Sequence, residues 1–188
     1  MREKILRATA AMLVAHGTQA SMSKIAQRAG VATGSLYNHF ENKEVLIRAV
    51  YDKLARDIEV ALVEGDDPSL TAPERLALYI DNHIEFIWED ADRAVLFEYL
   101  SNVPLLPGSE VLDSFQRTTD FIAELVRGLQ DAGWAAEGNV GVIGGFIGGA
   151  IRNTLKWQRA LGDPLTEDTR MLLREMCLRS VRVAEPGQ

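Results

Sequence analysis

Apolar residues recur at three- and four-residue intervals along almost the whole chain, and this spacing predicts helices rather than strands. In the first pattern, over residues 2–16, Ile5, Met12 and Leu13 share one face before Gly17. We therefore expect an all-α fold of about nine helices. The other predicted helices lie between Ser21 and Gly30 and over about residues 33–40, 42–64, 72–89, 92–102, 109–131, 138–161 and 166–183.

Capping and helix-breaking residues mark several of the expected helix ends. Thr71 and Glu74 match a Thr-x-x-Glu capping box, in which each side chain bonds to the backbone N–H of the other residue. Asn42 is placed to cap the fourth helix. A Gly-Asp-Pro sequence at residues 162–164 ends the eighth helix, and the final EPGQ is expected to fray.

Residues 21–48 combine a helix, a glycine turn and a second short helix. Ser21 can cap the first of these helices, and Gly30 occupies the position after a helix where a positive φ is favoured. Leu36 and Phe40 share the inward face of the second helix, and its other positions are small and polar. This pattern is typical of a DNA-binding helix-turn-helix, whose second helix enters the major groove.

The same segment resembles the N-terminal domain of the TetR/AcrR family of transcriptional regulators. The resemblance is close over residues 1–50 and limited to length and helical pattern beyond them. It implies a three-helix head, residues 1–47, and an effector-binding and dimerisation body, residues 48–188. At Ala32 the family often has a capping Ser or Thr, and Thr33 is the candidate for that cap here. The matching residues are Ile25-Ala26, Gly30-Val31, Gly34-Ser35-Leu36-Tyr37, His39-Phe40 and Lys43-Glu44-Val45-Leu46.

Hydroxyl, amide and basic side chains of the head can bind phosphate oxygens or base edges. The resemblance implies that Tyr37, His39 and Lys43 hold the DNA backbone, and the candidates for base edges are Thr33, Gly34 and Asn38. The alternatives are an ordinary solvated helix face or a helix-turn-helix used for protein contacts. The predicted DNA-binding residues are Ser21, Ser23, Lys24, Thr33, Gly34, Ser35, Tyr37, Asn38, His39 and Lys43.

Charge is unevenly distributed along the 188 residues. The net charge of −7 by itself argues against a nucleic-acid partner. Residues 1–50, however, hold seven Lys/Arg against three Glu, a net charge of +4, whereas residues 51–188 hold 13 Lys/Arg against 24 Asp/Glu, a net charge of −11. A basic head can therefore meet phosphate while the acidic remainder is repelled by DNA.

Few features favour catalysis, a metal or a membrane. A single cysteine, Cys177, excludes an internal disulfide, and the three histidines, at positions 16, 39 and 83, are far apart in sequence. No nucleophile–base spacing or metal motif is present, so we expect no enzyme activity, no metal and no other cofactor. The longest uncharged apolar stretch, residues 138–151, is too short to span a bilayer, and no signal peptide is visible. We therefore expect a cytoplasmic protein.

The eighth predicted helix contains the glycine-rich sequence VGVIGGFIGGAIR, whose spacing differs from that of nucleotide-binding loops. Each glycine inside a helix costs about 1 kcal/mol relative to alanine, so the run needs compensation from close packing or from room for a bulky group. The resemblance implies that the last two helices form a four-helix bundle with a second subunit, where glycines let helices approach closely; the alternative is a partly irregular segment. The predicted dimer-interface residues are Gly141, Gly145, Gly148, Gly149, Leu172 and Met176.

Several polar residues of the body lie among apolar positions, where burial is unfavourable unless they form hydrogen bonds. His83 is either a core histidine satisfied by its neighbours or an effector contact, and as a cation it could bind an acidic effector. Apolar candidates outnumber polar ones, which favours a small hydrophobic or amphipathic effector. The predicted ligand-binding residues are His83, Phe86, Leu100, Asn102, Phe115, Gln116, Ile122, Phe146 and Asn153.

These observations together predict a homodimeric transcriptional regulator. We expect it to bind a near-palindromic double-stranded DNA operator as a repressor and to leave it when the effector binds. The alternatives are an all-helical binding or sequestering protein, or a regulator without a small-molecule effector.

Overall fold

A computed structural model describes residues 1–183; the final residues, which include EPGQ, lie outside the described part. Within it the fold is all-α as expected, with a 3₁₀ turn (Gly17–Gln19) and no strand apart from an isolated bridge between Ala135 and Arg182. The nine α-helices of this range are α1 (Arg2–His16), α2 (Met22–Ala29), α3 (Thr33–His39), α4 (Lys43–Leu62), α5 (Ala72–Glu89), α6 (Ala91–Asn102), α7 (Gly108–Asp131), α8 (Val140–Ala160) and α9 (Glu167–Val181).

Local hydrogen bonds set several helix ends and confirm the caps predicted at Asn42 and at the Thr71–Glu74 pair. The Glu74 carboxylate accepts hydrogen bonds from the Thr71 backbone N–H at 2.9 Å and from the Thr71 hydroxyl at 2.6 Å. Asn42 Oδ1 accepts a hydrogen bond from the Val45 N–H at 2.9 Å, so α4 begins where its cap predicts. The predicted helix bounds agree with the structure to within two residues. Caps act on backbone groups within a few residues, so the sequence near a cap is enough to locate the helix end.

The chain divides into two compact units. The first consists of Met1–Asp57 and Ala91–Phe115, and the second of Ile58–Asp90 and the residues from Gln116 onward. The predicted head, residues 1–47, therefore lies inside a larger unit that also includes α6 and the first part of α7.

In the first unit, α1 packs against α2 and α6, and α2 packs against α3. Tyr51 on α4 is buried, and its hydroxyl donates a hydrogen bond to the Leu100 carbonyl of α6 at 3.3 Å. Burial of large apolar side chains supplies most of the stability of such a helical core. The fully buried side chains of this unit include Ile5, Leu13, Ile25, Leu36 and Leu46.

In the second unit, α5 packs against α8 and α9. Two ion pairs join α5 to α9, Asp81 with Arg174 at 2.8 Å and Glu85 with Arg170 at 2.7 Å. Ion pairs that remain partly exposed contribute little stability, so the apolar core again dominates. Its fully buried members include Leu62, Leu76, Ile80, Ile84, Leu129 and Ile147.

Two further features of the second unit are an arginine that caps the end of α5 and a buried cysteine on α9. Arg159 on α8 donates hydrogen bonds to the Ile87 and Trp88 carbonyls at 2.9 and 3.0 Å, which satisfies carbonyl groups in the last turn of α5. Its guanidinium also lies 4.7 Å from the Trp88 ring centroid. On α9, Cys177 is buried, and burial raises the pKa of its thiol to about 11.

Candidate DNA-binding and effector sites

Helices α2 and α3 are joined by the expected glycine turn. The Ser21 hydroxyl accepts a hydrogen bond from the Lys24 N–H at 3.3 Å and caps α2. Gly30 has φ 66° and ψ 36°, the left-handed conformation that glycine adopts most easily. The Val31 N–H then bonds to the Ala26 carbonyl at 3.0 Å, which closes the helix end in the manner of a Schellman motif.

Helix α3 buries its apolar side and exposes its polar one. Leu36 and Phe40 are buried, as predicted from their spacing. The cap position is Ala32, which makes no side-chain capping bond, and Thr33 is the first helical residue. The expected Thr33 cap is therefore wrong, because its hydroxyl lies one residue too far along the chain. The exposed residues of this helix are Thr33, Gly34, Tyr37, Asn38 and His39.

Gly34 has open surroundings although it lies inside a helix. Its φ is not positive, and a Cβ built there would meet no protein atom within 4 Å. Glycine is a poorer helix former than alanine, and no atom of the described chain lies where a side chain would be, so packing gives no reason for glycine here. The missing side chain leaves the α3 backbone open to close approach by a partner.

The remaining predicted DNA-binding residues lie on neighbouring turns. Ser23 and Lys24 are exposed in the first turn of α2, and Ser35 is half-buried on α3. Lys43 is the first residue of α4, and its Nζ donates a hydrogen bond to the Thr18 carbonyl. The ammonium group is thus held near the start of α4, where the helix N-terminus also attracts anions.

A further cation near this surface, Arg2, is not among the predicted residues. Its guanidinium lies 5.4 Å from the ring centroid of Phe40, the residue that comes directly after α3. This cation–π contact depends on packing between segments far apart in sequence, so helical periodicity gives no signal for it.

His83 on α5 is buried, and neither of its ring nitrogens has a hydrogen-bond partner within the described chain. The Tyr79 ring packs edge-on against it, with centroids 5.8 Å apart. A Cβ on Gly148 of α8 would lie 3.3 Å from His83 Cε1 and 2.9 Å from Nη1 of Arg152. We call these four residues, Tyr79, His83, Gly148 and Arg152, the His83 cluster.

Burial sets the protonation state of this cluster. It lowers the pKa of His83 to about 3, with a smaller contribution from the nearby Arg152 charge, so the imidazole is neutral at physiological pH. Burial likewise raises the pKa of Tyr79 to about 12. The expectation that His83 acts as a cation is therefore corrected. The interpretation of His83 as a core histidine satisfied by its neighbours is also corrected, because neither ring nitrogen has a hydrogen-bond partner within residues 1–183. Each buried unpaired polar group costs about 1–3 kcal/mol.

The other predicted ligand-binding residues of the second unit occupy different environments. Ile122 on α7 lies against α8, where a Cβ on Gly144 would be 3.0 Å from its Cγ1. Phe86 is buried on α5, and Gln116 is exposed. Phe146 and Asn153, also predicted to contact the effector, are exposed on α8.

Three predicted ligand-binding residues belong to the first unit. Leu100 is buried, and Phe115 packs edge-on against Phe97 with centroids 6.0 Å apart. Asn102 is exposed, and its side-chain amide donates to the Glu98 carbonyl at 2.7 Å, one turn earlier on α6.

The glycines of α8 face two directions. Gly144 and Gly148 are buried within the chain, whereas a Cβ on Gly145 or Gly149 would meet no atom within 4 Å. Gly141 lies in the first turn, beside the capping side chain of Asn139. Gly148 therefore packs inside the subunit, which corrects its placement on the outer face. The exposed apolar residues of α8 and α9 are Val142, Phe146, Trp157, Met171, Leu172 and Met176.

Two negative findings apply to residues 1–183. No helix there is long and apolar enough to cross a membrane. No group of three or more His, Cys, Asp and Glu side chains in the same range could hold a metal ion.

Comparison with known proteins gives matches at both the sequence and the fold level. Residues 5–50 match the profile of the bacterial regulatory proteins of the tetR family. The fatty acid metabolism regulator protein of Bacillus subtilis (strain 168) is 35% identical over 117 residues, which are 60% of this chain and 59% of that relative. The match thus spans less than two thirds of the relative's length.

Solved structures share the fold over nearly the whole chain. A TetR family transcription regulator from Marinobacter aquaeolei VT8 superposes with a TM-score of 0.87 at 18% identity, covering 97% of this chain and 96% of that one. AibR, in complex with isovaleryl coenzyme A and operator DNA, superposes with a TM-score of 0.75 at 19% identity, covering 96% and 97%. Residues 5–50 thus match the helix-turn-helix segment of the bacterial regulatory proteins of the tetR family, and the chain as a whole shares its fold with solved structures of TetR family regulators.

Proposed function

We propose that this protein is a ligand-responsive transcriptional repressor that binds operator DNA through α3. The observation that carries the proposal is the exposed polar face of α3, with a glycine in its first turn that packing within the described chain does not require. Small and polar groups on a short helix allow close approach to base edges in the major groove.

The residues of this face divide into two roles. Tyr37, His39 and Lys43 are suited to phosphate oxygens, which fix the position of the helix on the duplex. Asn38 can bond adenine N6 and N7 in a bidentate manner, so it is suited to sequence discrimination. Gly34 lets the helix backbone come close enough for Asn38 to reach the base.

The protein acts as a homodimer in this proposal. Val142 and Phe146 on α8 and Leu172 and Met176 on α9 are exposed apolar residues, which a second copy of the chain would cover. Two heads related by a two-fold axis can dock on major-groove faces roughly 34–36 Å apart, so the operator is near-palindromic.

A small, predominantly apolar effector controls DNA binding in this proposal. The B. subtilis relative is a regulator of fatty acid metabolism, and AibR binds an acyl coenzyme A, which supports an effector with a hydrocarbon part. The effector releases the operator only if it binds the DNA-incompetent arrangement more tightly than the competent one. The protein works in the cytoplasm without catalysis.

The test is a DNA-binding titration with the DNA that flanks the protein's own gene. Wild-type protein should bind one fragment, and its affinity should fall about a thousandfold between 50 and 200 mM salt because phosphate contacts release counterions. Gly34→Ala should fold at least as well and bind at least about tenfold more weakly. Gly128→Ala is the matched control, since Gly128 is also an open helical glycine but lies on α7.

Two results would contradict the proposal. Absence of binding to every flanking fragment at low salt, by folded protein, would favour an all-helical binding or sequestering protein. Wild-type affinity in Gly34→Ala would remove α3 as the DNA-reading helix.

A further inference from the structure

In the His83 cluster, both ring nitrogens of His83 are buried and have no hydrogen-bond partner within residues 1–183. We propose that this cluster anchors the acyl oxygen of the effector, a carboxylate or a thioester carbonyl, while the effector's hydrocarbon part packs on the surrounding apolar side chains. This inference rests on the proposed ligand-responsive function and specifies the ligand's chemistry.

The orientation of His83 is the first step of the argument. Of the His83 atoms, Cε1 lies nearest to a Cβ on Gly148, at 3.3 Å. Cε1 lies between the two ring nitrogens, so the edge of the imidazole that carries both nitrogens is turned towards α8. Gly148 has no side chain on this approach, and neither ring nitrogen has a hydrogen-bond partner within residues 1–183.

The charge beside this edge is the second step. Arg152 is one helical turn beyond Gly148, and its Nη1 is 2.9 Å from the same Cβ position. Its positive charge acts on both Tyr79 and His83. A guanidinium favours an oxygen that carries negative charge or a strong dipole and disfavours an amine.

The hydrogen-bonding groups of the neutral imidazole further restrict which functional group the ligand can carry. A neutral histidine offers one N–H donor and one nitrogen acceptor. An acyl oxygen can accept from the N–H while it faces the guanidinium. An alcohol of the same chain length lacks the negative charge of a carboxylate and the strong dipole of a carbonyl, which the Arg152 guanidinium favours. It is therefore the comparison compound.

The apolar core of the second unit, to which the cluster belongs, bears on the chemistry of the rest of the ligand. Helices α5, α7 and α8 contribute buried aliphatic side chains to this unit, and a ligand with polar groups along its length would lose hydrogen bonds to water among them. A hydrocarbon chain avoids that loss. The buried aliphatic residues of these helices include Ile80, Ile84, Ile122, Ile147 and Ile151.

The experiment compares ligands of equal chain length on the full-length protein. The probes are octanoic acid, octanoyl coenzyme A, 1-octanol, octylamine and coenzyme A alone, with binding measured by calorimetry and operator release by fluorescence anisotropy. At least one of the two acyl compounds should bind at least about tenfold more tightly than octanol, octylamine and coenzyme A. The acyl compound that binds distinguishes a free acid from a thioester.

Two variants connect the preference to the cluster. His83→Leu removes the ring nitrogens and Arg152→Gln removes the charge; each should weaken acyl binding at least about tenfold and abolish the preference over octanol. The matched controls are His16→Leu, at an exposed histidine of α1, and Lys156→Gln, at an exposed cation of α8, and both should bind like the wild type.

A measurement on the wild type avoids dependence on how the variants fold. Long-range ¹H–¹⁵N spectra should show the His83 ring nitrogens shifting when the acyl probe is added, with no change in His16. Octanol binding as tightly as both acyl probes, acyl binding unchanged in folded His83→Leu and Arg152→Gln, or no acyl binding at all would overturn the inference. In each of these cases specific operator binding by the unliganded protein would leave DNA recognition standing, whereas loss of operator binding would be a failure of the proposed function itself.

Discussion

Helices α3 and α8 both contain glycines, and the surroundings of these glycines differ. Gly34 on α3 and Gly145 and Gly149 on α8 face open space, whereas Gly144 and Gly148 face Ile122 and the His83 cluster. Close packing within the chain explains the second group. It does not explain the first, which lowers helix stability with no contact in return.

The difference shows where partners outside the chain are to be sought. Around Gly34 the exposed side chains are polar, which suits DNA. Around Gly145 they include Val142 and Phe146, which are apolar and suit a second protein surface. An open glycine inside a helix thus indicates a partner, and the side chains around it indicate the partner's chemistry.

The largest expected effect is on association through the outer face of α8 and α9. Phe146→Glu combined with Leu172→Glu places charge among exposed apolar residues and should raise the dimer dissociation constant at least about 100-fold, about 2.7 kcal/mol. Light scattering between 1 and 50 μM measures it. Val95→Glu, at an exposed apolar residue of α6, is the control. A monomeric wild type, or a double variant as dimeric as the wild type, would contradict the assignment.

Two adjacent glycines test the inner and outer faces of α8 directly. Gly144→Leu overpacks the contact with Ile122 and should lower the free energy of unfolding by about 1–3 kcal/mol. Gly145→Leu points to open space and should not destabilise the subunit. Urea unfolding in the monomeric Phe146→Glu, Leu172→Glu background isolates the subunit. Equal losses in the two variants would show that the faces are assigned incorrectly.

Substitutions on the α3 surface should affect DNA affinity and sequence specificity separately. Tyr37→Ala and Lys43→Ala each remove a proposed phosphate contact and should weaken binding to all DNA sequences about tenfold, about 1.4 kcal/mol. Asn38→Ala should instead change which base is preferred within the operator. A binding-site selection with each purified variant measures both quantities. Unaltered affinity in folded Tyr37→Ala and Lys43→Ala would exclude this surface as the DNA contact.

The free energy of unfolding should depend modestly on pH through His83, which packs against the inner face of α8. His83 has a pKa near 6.5 when unfolded and about 3 when folded, so the unfolded chain binds more protons between these values and stability falls as pH decreases. From pH 6 to pH 5 the His83 contribution should lower the free energy of unfolding by about 1 kcal/mol. The neighbouring groups are Tyr79, neutral in this range, and Arg152, charged throughout it. Urea unfolding at both pH values checks the sign, and His83→Leu should lose this part of the dependence; an identical slope in His83→Leu would refute it.

Much of the fold was predictable because its signals are local. Ser21, Asn42 and the Thr71–Glu74 pair act on backbone groups within three residues, so their positions in the sequence fix helix starts. Gly30 likewise ends α2 through its own φ. The division of the chain is different, because packing of α6 against α1 depends on contacts between distant segments.

The candidate sites were predictable only in part for the same reason. On the short helix α3 the buried Leu36 fixes which residues are exposed. On α8, neighbouring glycines differ by about 100° in direction, and the rotation that turns Gly148 inward and Phe146 outward is set by α5 and α7. That His83 would be buried without a partner results from the same packing, and no pattern within α5 reveals it.

Cys177 gives the protein a built-in probe of its own motions. It is the only thiol in the sequence, it is 2% exposed on α9, and its high pKa leaves almost no thiolate at neutral pH. A thiol reagent can therefore modify it only when α9 opens locally, and the labelling rate then depends on the free energy of that opening. Because α9 also carries Leu172 and Met176, slower labelling at higher protein concentration would report subunit association without any engineered label.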